Sequence, residues 1–146
     1  MSIDQGNKYQ LIICSDLNKI RKVEQVTEKI ADYMHFSEDD KDSLAIAVTE
    51  IVGNAINHGN KRDKNKKVMV DFEYQNNTIV VTIADEGKGF NVNAIQNPLE
   101  PANLLKESGR GIFIVRTLMD NVEFFTTERG SVVRLTKKSK QSSKKY

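Results

Sequence analysis

The chain has 146 residues, 38 % of them apolar and 29 % charged, with no Trp, two Pro and one cysteine. That suffices for one hydrophobic core, and it excludes collagen-like, disulfide-framework and wholly disordered chains. The net charge is +2, but residues 137–146 hold five lysines and no acid, so residues 1–136 carry net −3 and lack the basic footprint of a nucleic-acid binder.

Met1 to Asn7 lacks the basic-then-apolar layout of a signal peptide, and no apolar run approaches the roughly 20 residues that span a bilayer. Cys14 cannot pair internally, which suits a reducing compartment. A cytoplasmic location is expected, with no membrane contact. Lys8 to Cys14 reads as a first strand. Asp16 then offers an N-cap, and Leu17, Ile20, Val23, Val26 and Ile30 follow at helical spacing. Ser37-Glu38-Asp39-Asp40 opens a second helix, with acids where the dipole favours them, running to about Asn57 and stopped by His58-Gly59-Asn60.

After a basic loop, Val68, Val70, Phe72 and Tyr74 alternate with polar neighbours, Gln75-Asn76-Asn77 supplies a turn, and Thr78 to Ala84 forms the second arm of a hairpin. The stretch beyond Gly89 contains Pro98 and Pro101 and little periodicity, as functional loops do. Gly109-Arg110-Gly111 opens a helix to about Met119, and Val122–Thr126 and Ser131–Thr136 form a closing β pair joined at Glu128-Arg129-Gly130. The expected fold is α+β: a two-layer sandwich with helices on one face of a largely antiparallel mixed sheet. Residues 1–136 form the single domain, and the lysine-rich residues 137–146 form a solvated, disordered tail.

Three segments carry the chemistry. At 100° per residue, Glu50, Asn54 and Asn57 share one flank of the second helix, while Leu44, Val48, Ile51, Val52 and Ala55 occupy the other. An Asn oxygen is a hard, neutral ligand suited to Mg²⁺, and a Glu one turn earlier is placed to accept a proton. The segment Asp85-Glu86-Gly87-Lys88-Gly89 leaves a strand end with a carboxylate that accepts a hydrogen bond from an exocyclic amine, and with glycines that permit close approach. Ser108-Gly109-Arg110-Gly111 precedes a helix whose free amides bind anions. Taken singly, these segments also suit a solvated helix face, a strand-end turn and an ordinary helix start. The chain has no G-x-x-x-x-G-K-[ST] and no G-x-G-x-x-G between a strand and a helix.

In this order and spacing the segments resemble the GHKL ATPase superfamily of the Bergerat ATP-binding fold, and most of all the bacterial anti-sigma factor serine kinases of the sporulation and general-stress type. Glu50-x-x-x-Asn54, continued by Asn57-His58, resembles the N box, and Asp85-x-Gly87-x-Gly89 the first glycine box. Gly109-Arg110-Gly111 resembles the second glycine box, with Arg110 where an apolar residue is usual. Gly130-Ser131-Val132-Val133-Arg134-Leu135 resembles the strand that completes the adenine pocket, with Ser131 for the commoner Thr.

The resemblance spans about Leu11 to Lys137 and implies ATP and Mg²⁺ as cofactors. By it, Asp85 and Ser131 recognise adenine, Asn54 holds Mg²⁺ and Glu50 is the general base. Gly87, Gly89 and Asn57 line the nucleotide site; Gly109, Arg110 and Gly111 cradle phosphates. Residues 91–108 form the ATP lid, and Arg110 or Lys106 faces the γ-phosphate.

The implied activity is a serine/threonine-protein kinase acting on an anti-sigma-antagonist (STAS-like) protein, with sequestration of a sigma factor as a further role and a homodimer as the active form. The alternative is a nucleotide-gated protein-binding module with little or no kinase activity. No sensor or phosphoacceptor segment precedes the motifs, which sets the expectation apart from a histidine kinase.

Overall fold

The computed structural model of the chain describes residues 7–87 and 107–140, with 107–109 as backbone. Strand β1 (Lys8–Cys14) leads through a 3-10 turn (Leu17–Lys19) into α1 (Ile20–Tyr33). Helix α2 (Glu38–Asn54) continues into a π-helical turn (Ala55–Gly59). Then come β2 (Lys67–Gln75), β3 (Thr78–Ala84), α3 (Glu107–Leu118), β4 (Asn121–Thr126) and β5 (Ser131–Lys138).

Local chemistry sets the boundaries. Asp16 Oδ1 accepts the Asn18 N–H at 3.0 Å, and Ser37 Oγ accepts the Asp40 N–H at 3.1 Å, each satisfying an amide that the first helical turn leaves open. Asn76 and Asn77 both adopt left-handed backbone, at φ 52° and 64°, as a two-residue hairpin turn requires.

The strands order as β1-β2-β3-β5-β4, and all four described pairings are antiparallel, so the parallel component expected of a mixed sheet is absent from the described residues. One face of the sheet is buried. Val68, Val70, Phe72 and Tyr74 from β2, Ile79, Val81 and Ile83 from β3, and Val133 and Leu135 from β5 pack with Val23, Ile30, Leu44, Val48, Ile51 and Ile112 from the helices. The two-layer α+β expectation is met. No described helix is long and apolar enough to cross a membrane.

Two expectations shift. The second helix changes geometry before Asn57: the Asn60 N–H donates to Ala55 O, an i→i−5 bond that widens the turn. The lysine-rich tail does not begin at residue 137, because β5 runs through Lys138. The alternation that turns Val133 and Leu135 inward continues to Lys137, which is 6 % exposed. Its Nζ donates to Leu118 O at 2.7 Å and lies 3.9 Å from Asp40 Oδ1. A cation is favoured there by the exposed carbonyls and negative dipole end of α3. Residues 141–146 lie outside the described residues.

Candidate nucleotide site

The site is built where α2 ends and β3 stops. Asp85 follows β3 directly and is buried. Its N–H donates to Ser131 O at 3.0 Å, while its Oδ1 accepts the Gly87 N–H at 2.9 Å and the Ser131 N–H at 3.2 Å. Backbone amides from two segments thus fix one carboxylate oxygen, and Oδ2 takes no hydrogen bond among the described residues. Burial raises the Asp85 pKa above the usual carboxylate range, opposed by the Ser131 and Gly87 amides and, more weakly, by the Lys66 charge.

Three glycines make room for this carboxylate. A Cβ on Gly59 would overlap Asp85 Oδ2, one on Gly87 would overlap the Gly59 carbonyl, and one on Gly130 would overlap the Asp85 carbonyl. Gly130 adds a backbone φ of +156°, which L side chains rarely adopt. Asn60, 1 % exposed, fastens the loop: its Oδ1 accepts the Glu86 N–H at 2.8 Å, and its Nδ2 donates to Ser15 Oγ at 2.8 Å and Lys67 O at 3.0 Å. In the sequence Gly59 and Asn60 read only as helix-stop residues, and Gly130 as a turn residue at the head of the segment that resembles the adenine-pocket strand. The signal available was the position of Gly59-Asn60, just past the Glu50–Asn57 segment.

Asn54 is 5 % exposed, and its side-chain nitrogen has no hydrogen-bond partner among the described residues; the buried Ser131 hydroxyl has none either. Buried polar groups are nearly always paired, so each of these two orphans is a position at which a polar ligand would supply the missing partner. The two ends of the Asn54 amide have almost the same shape, so the orphan end serves either as a donor to a phosphate oxygen or as a carbonyl toward a cation. Glu50, half-buried one turn earlier, faces α3. A Cβ on Gly111 would overlap its Oε2, so the glycine lets α3 close on this carboxylate.

The remaining expected site residues divide. Arg110 is exposed and engaged in an interaction of its own. Asn57, carried round by the π-helical turn, accepts Arg62 Nε at 2.7 Å, and no described contact joins it to Asp85 or Asn54. Gly109 lies in the first turn of α3, which begins two residues earlier than expected. Gly89 and residues 91–106 of the expected lid lie outside the described residues.

Residues 13–137 match the family model of the histidine kinase-like ATPase domain. The chain is 30 % identical over 114 residues to the serine-protein kinase RsbW of Oceanobacillus iheyensis, covering 74 % of this chain and 72 % of that one. It is 34 % identical over 114 residues to the protein of the same name from Bacillus subtilis (strain 168), covering 74 % and 71 %. Among solved structures, the RsbU and RsbW domains of a Mycobacterium tuberculosis protein superpose with a TM-score of 0.67 at 15 % identity, over 90 % of this chain and 32 % of that one. The catalytic domain of the histidine kinase ThkA superposes with a TM-score of 0.58 at 17 % identity, over 90 % and 95 %. These last two establish the shared fold. With a matching model over most of its length and RsbW serine-protein kinases among its relatives, the chain belongs to the histidine kinase-like ATPase domain family.

Proposed function

We infer that this protein is an ATP-dependent serine/threonine-protein kinase of the anti-sigma factor type, whose substrate is an anti-sigma-antagonist-like protein. The observation that carries the reading is the combination of an amide-fixed Asp85 carboxylate with an orphaned, buried Asn54 side chain on the helix that bears Glu50. Serine-protein kinase relatives at 30–35 % identity support the same activity.

Asp85 presents Oδ2 as the acceptor for the adenine amino group, and the Ser131 hydroxyl supplies a second polar contact. Asn54 is the residue to hold Mg²⁺; no group of three His, Cys, Asp or Glu side chains suited to a metal exists among the described residues, so further ligation falls to phosphate oxygens and water. Bound Mg²⁺-ATP supplies the γ-phosphoryl group and the charge neutralisation that phosphoryl transfer mostly needs. Glu50 takes the proton from the acceptor serine or threonine hydroxyl, held in place by the packing of Gly111 against it. Gly87, Gly89, Gly109 and Arg110 complete the site, and Asn57, turned toward Arg62, stays outside it. Sequestration of a sigma factor and action as a homodimer belong to the same proposal.

Incubation with γ-labelled ATP and candidate antagonist proteins encoded nearby tests the reading. Label should move to a serine or threonine of one of them, and Glu50→Gln should abolish transfer while leaving ATP binding intact. Partner control that survives Glu50→Gln unchanged, with no label transferred by the wild type, would favour the nucleotide-gated binding module.

A further inference from the structure

The ladder between β2 and β3 stops where Asp85 leaves the sheet, and a side chain stands in the next position. The register that sets Gln75 against Thr78, Asp71 against Thr82 and Met69 against Ala84 would next bring Lys67 opposite Glu86. The Glu86 N–H donates instead to Asn60 Oδ1 at 2.8 Å, and Asn60 Nδ2 donates to Lys67 O at 3.0 Å. The Lys67 N–H donates to the Glu86 carboxylate at 2.6 Å. One side-chain amide thus lies between two strands in place of a direct backbone bond. On the other side the chain stays with β5, since the Asp85 N–H donates to Ser131 O at 3.0 Å. The strand is held to β5 at Asp85 and parted from β2 at Glu86.

The hydrogens require an Asn here. The Ser15 hydroxyl, which accepts from Asn60 Nδ2 at 2.8 Å, gives its own proton to Lys66 O at 2.8 Å. Lys67 O is an acceptor only. Both neighbours therefore call for the NH₂ end of the amide, and the carbonyl end is left for the Glu86 N–H. A carboxylate of the same shape would set its oxygens against two acceptors. The backbone beyond Asn60 is strained: Lys61 and Arg62 have φ of 53° and 60°, a region that such residues seldom enter unless their surroundings fix them there.

We propose that Asn60 is a positioning residue for base recognition: by parting β3 from β2 at Glu86, it turns the chain so that Asp85 presents Oδ2 to the nucleotide. With the rung closed, Glu86 would continue along β2 and carry Gly87 away. Asp85 Oδ1 would then lose the Gly87 N–H that it accepts at 2.9 Å, and the carboxylate would be free to turn. The inference rests on the reading of Asp85 as the partner of the adenine amino group, and it concerns selectivity. Guanine carries a carbonyl where adenine carries that amine, so a fixed carboxylate rejects it, and a loosened one rejects it less.

The test is titration calorimetry of the full chain with Mg²⁺-ATP and, separately, with Mg²⁺-GTP. Wild type should favour ATP. Asn60→Ala should weaken ATP about tenfold and leave GTP nearly unchanged, so the preference shrinks by the same factor. Ser15→Ala is the control, because it removes a buried hydrogen bond of the same amide without touching Glu86 or Lys67 O. It should lower the melting temperature and keep the base preference. Glu86→Ala, at an exposed side chain, releases the Lys67 N–H and should reduce the preference about threefold.

An Asn60→Ala protein that keeps the wild-type preference for ATP would overturn the proposal. So would a Ser15→Ala protein that loses the preference to the same extent, since the effect would then be a general loosening. Where Asn60→Ala does not fold, an unchanged preference in Glu86→Ala overturns it instead. A wild type that binds both nucleotides equally would remove the adenine role of Asp85, and this role of Asn60 with it.

Discussion

Gly59 lies so close to Asp85 that one methyl group on the glycine would overlap the carboxylate oxygen Oδ2. The end of α2 and the end of β3 are thereby locked face to face. Gly59→Ala should force the carboxylate off its two amide donors, costing about 1–3 kcal/mol of stability, as overpacking does. Nucleotide affinity should fall by about tenfold or more, since a hydrogen bond to a charged group is worth about 1.5–3 kcal/mol. Urea unfolding and titration calorimetry read the two effects.

The buried Asp85 carboxylate also sets a pH dependence. Its folded-state pKa is raised, so on acidification the folded protein takes up this proton before the unfolded chain does. Over that window the folded state binds more protons, so this group's contribution to stability rises as pH falls. Nucleotide affinity should move the other way, because a protonated Asp85 loses an acceptor. Affinity should therefore decline at a pH above the normal range for an exposed aspartate, and Asp85→Asn should remove that step from the pH profile.

Glu50 and Gly111 form a second paired position. Glu50→Gln keeps the shape and removes the base, so phosphoryl transfer should drop about 10²–10⁴-fold with nucleotide affinity nearly unchanged. Gly111→Ala should displace the same carboxylate by steric overlap and lower transfer as well, with a loss of thermal stability that Glu50→Gln does not share. Single-turnover label transfer alongside melting curves separates the two variants.

Lys137 is a buried cation near the end of β5, set between Leu118 O and Asp40. Lys137→Met should leave the Asp40 carboxylate, which is 4 % exposed, with the Lys140 N–H at 3.2 Å but without its buried cation, and cost about 3 kcal/mol. The double variant Asp40→Leu/Lys137→Met should recover part of that loss, since the buried charge goes with it. Denaturant midpoints of the single and double variants decide the matter.

Much of this fold was legible because its elements obey local rules. β1 and β3 fall on Lys8–Cys14 and Thr78–Ala84, as their β-rich runs suggest. The Ser37 cap and its acidic first turn mark the start of α2. The register of Asn57 was not legible, because a π-helical turn answers to the Asn60–Ala55 closure and not to the 100° step. Nor was the burial of Lys137, which depends on where α3 ends in space. In the proposed site, Asp85, Asn54 and Glu50 stand out by residue type and order, whereas Ser131 enters only through the family resemblance. The roles of Gly59, Asn60 and Gly130 are contacts between segments 26 to 45 residues apart, and a linear motif does not display them.

The central claim is that a nucleotide sits between Asn54 and Asp85. Titration calorimetry with Mg²⁺-ATP on the wild-type chain and on Asp85→Asn tests it most directly. One nucleotide per chain should bind the wild type, and Asp85→Asn should weaken it by about 10–100-fold. Absence of binding at millimolar nucleotide, or equal affinity in the variant, would contradict the assignment.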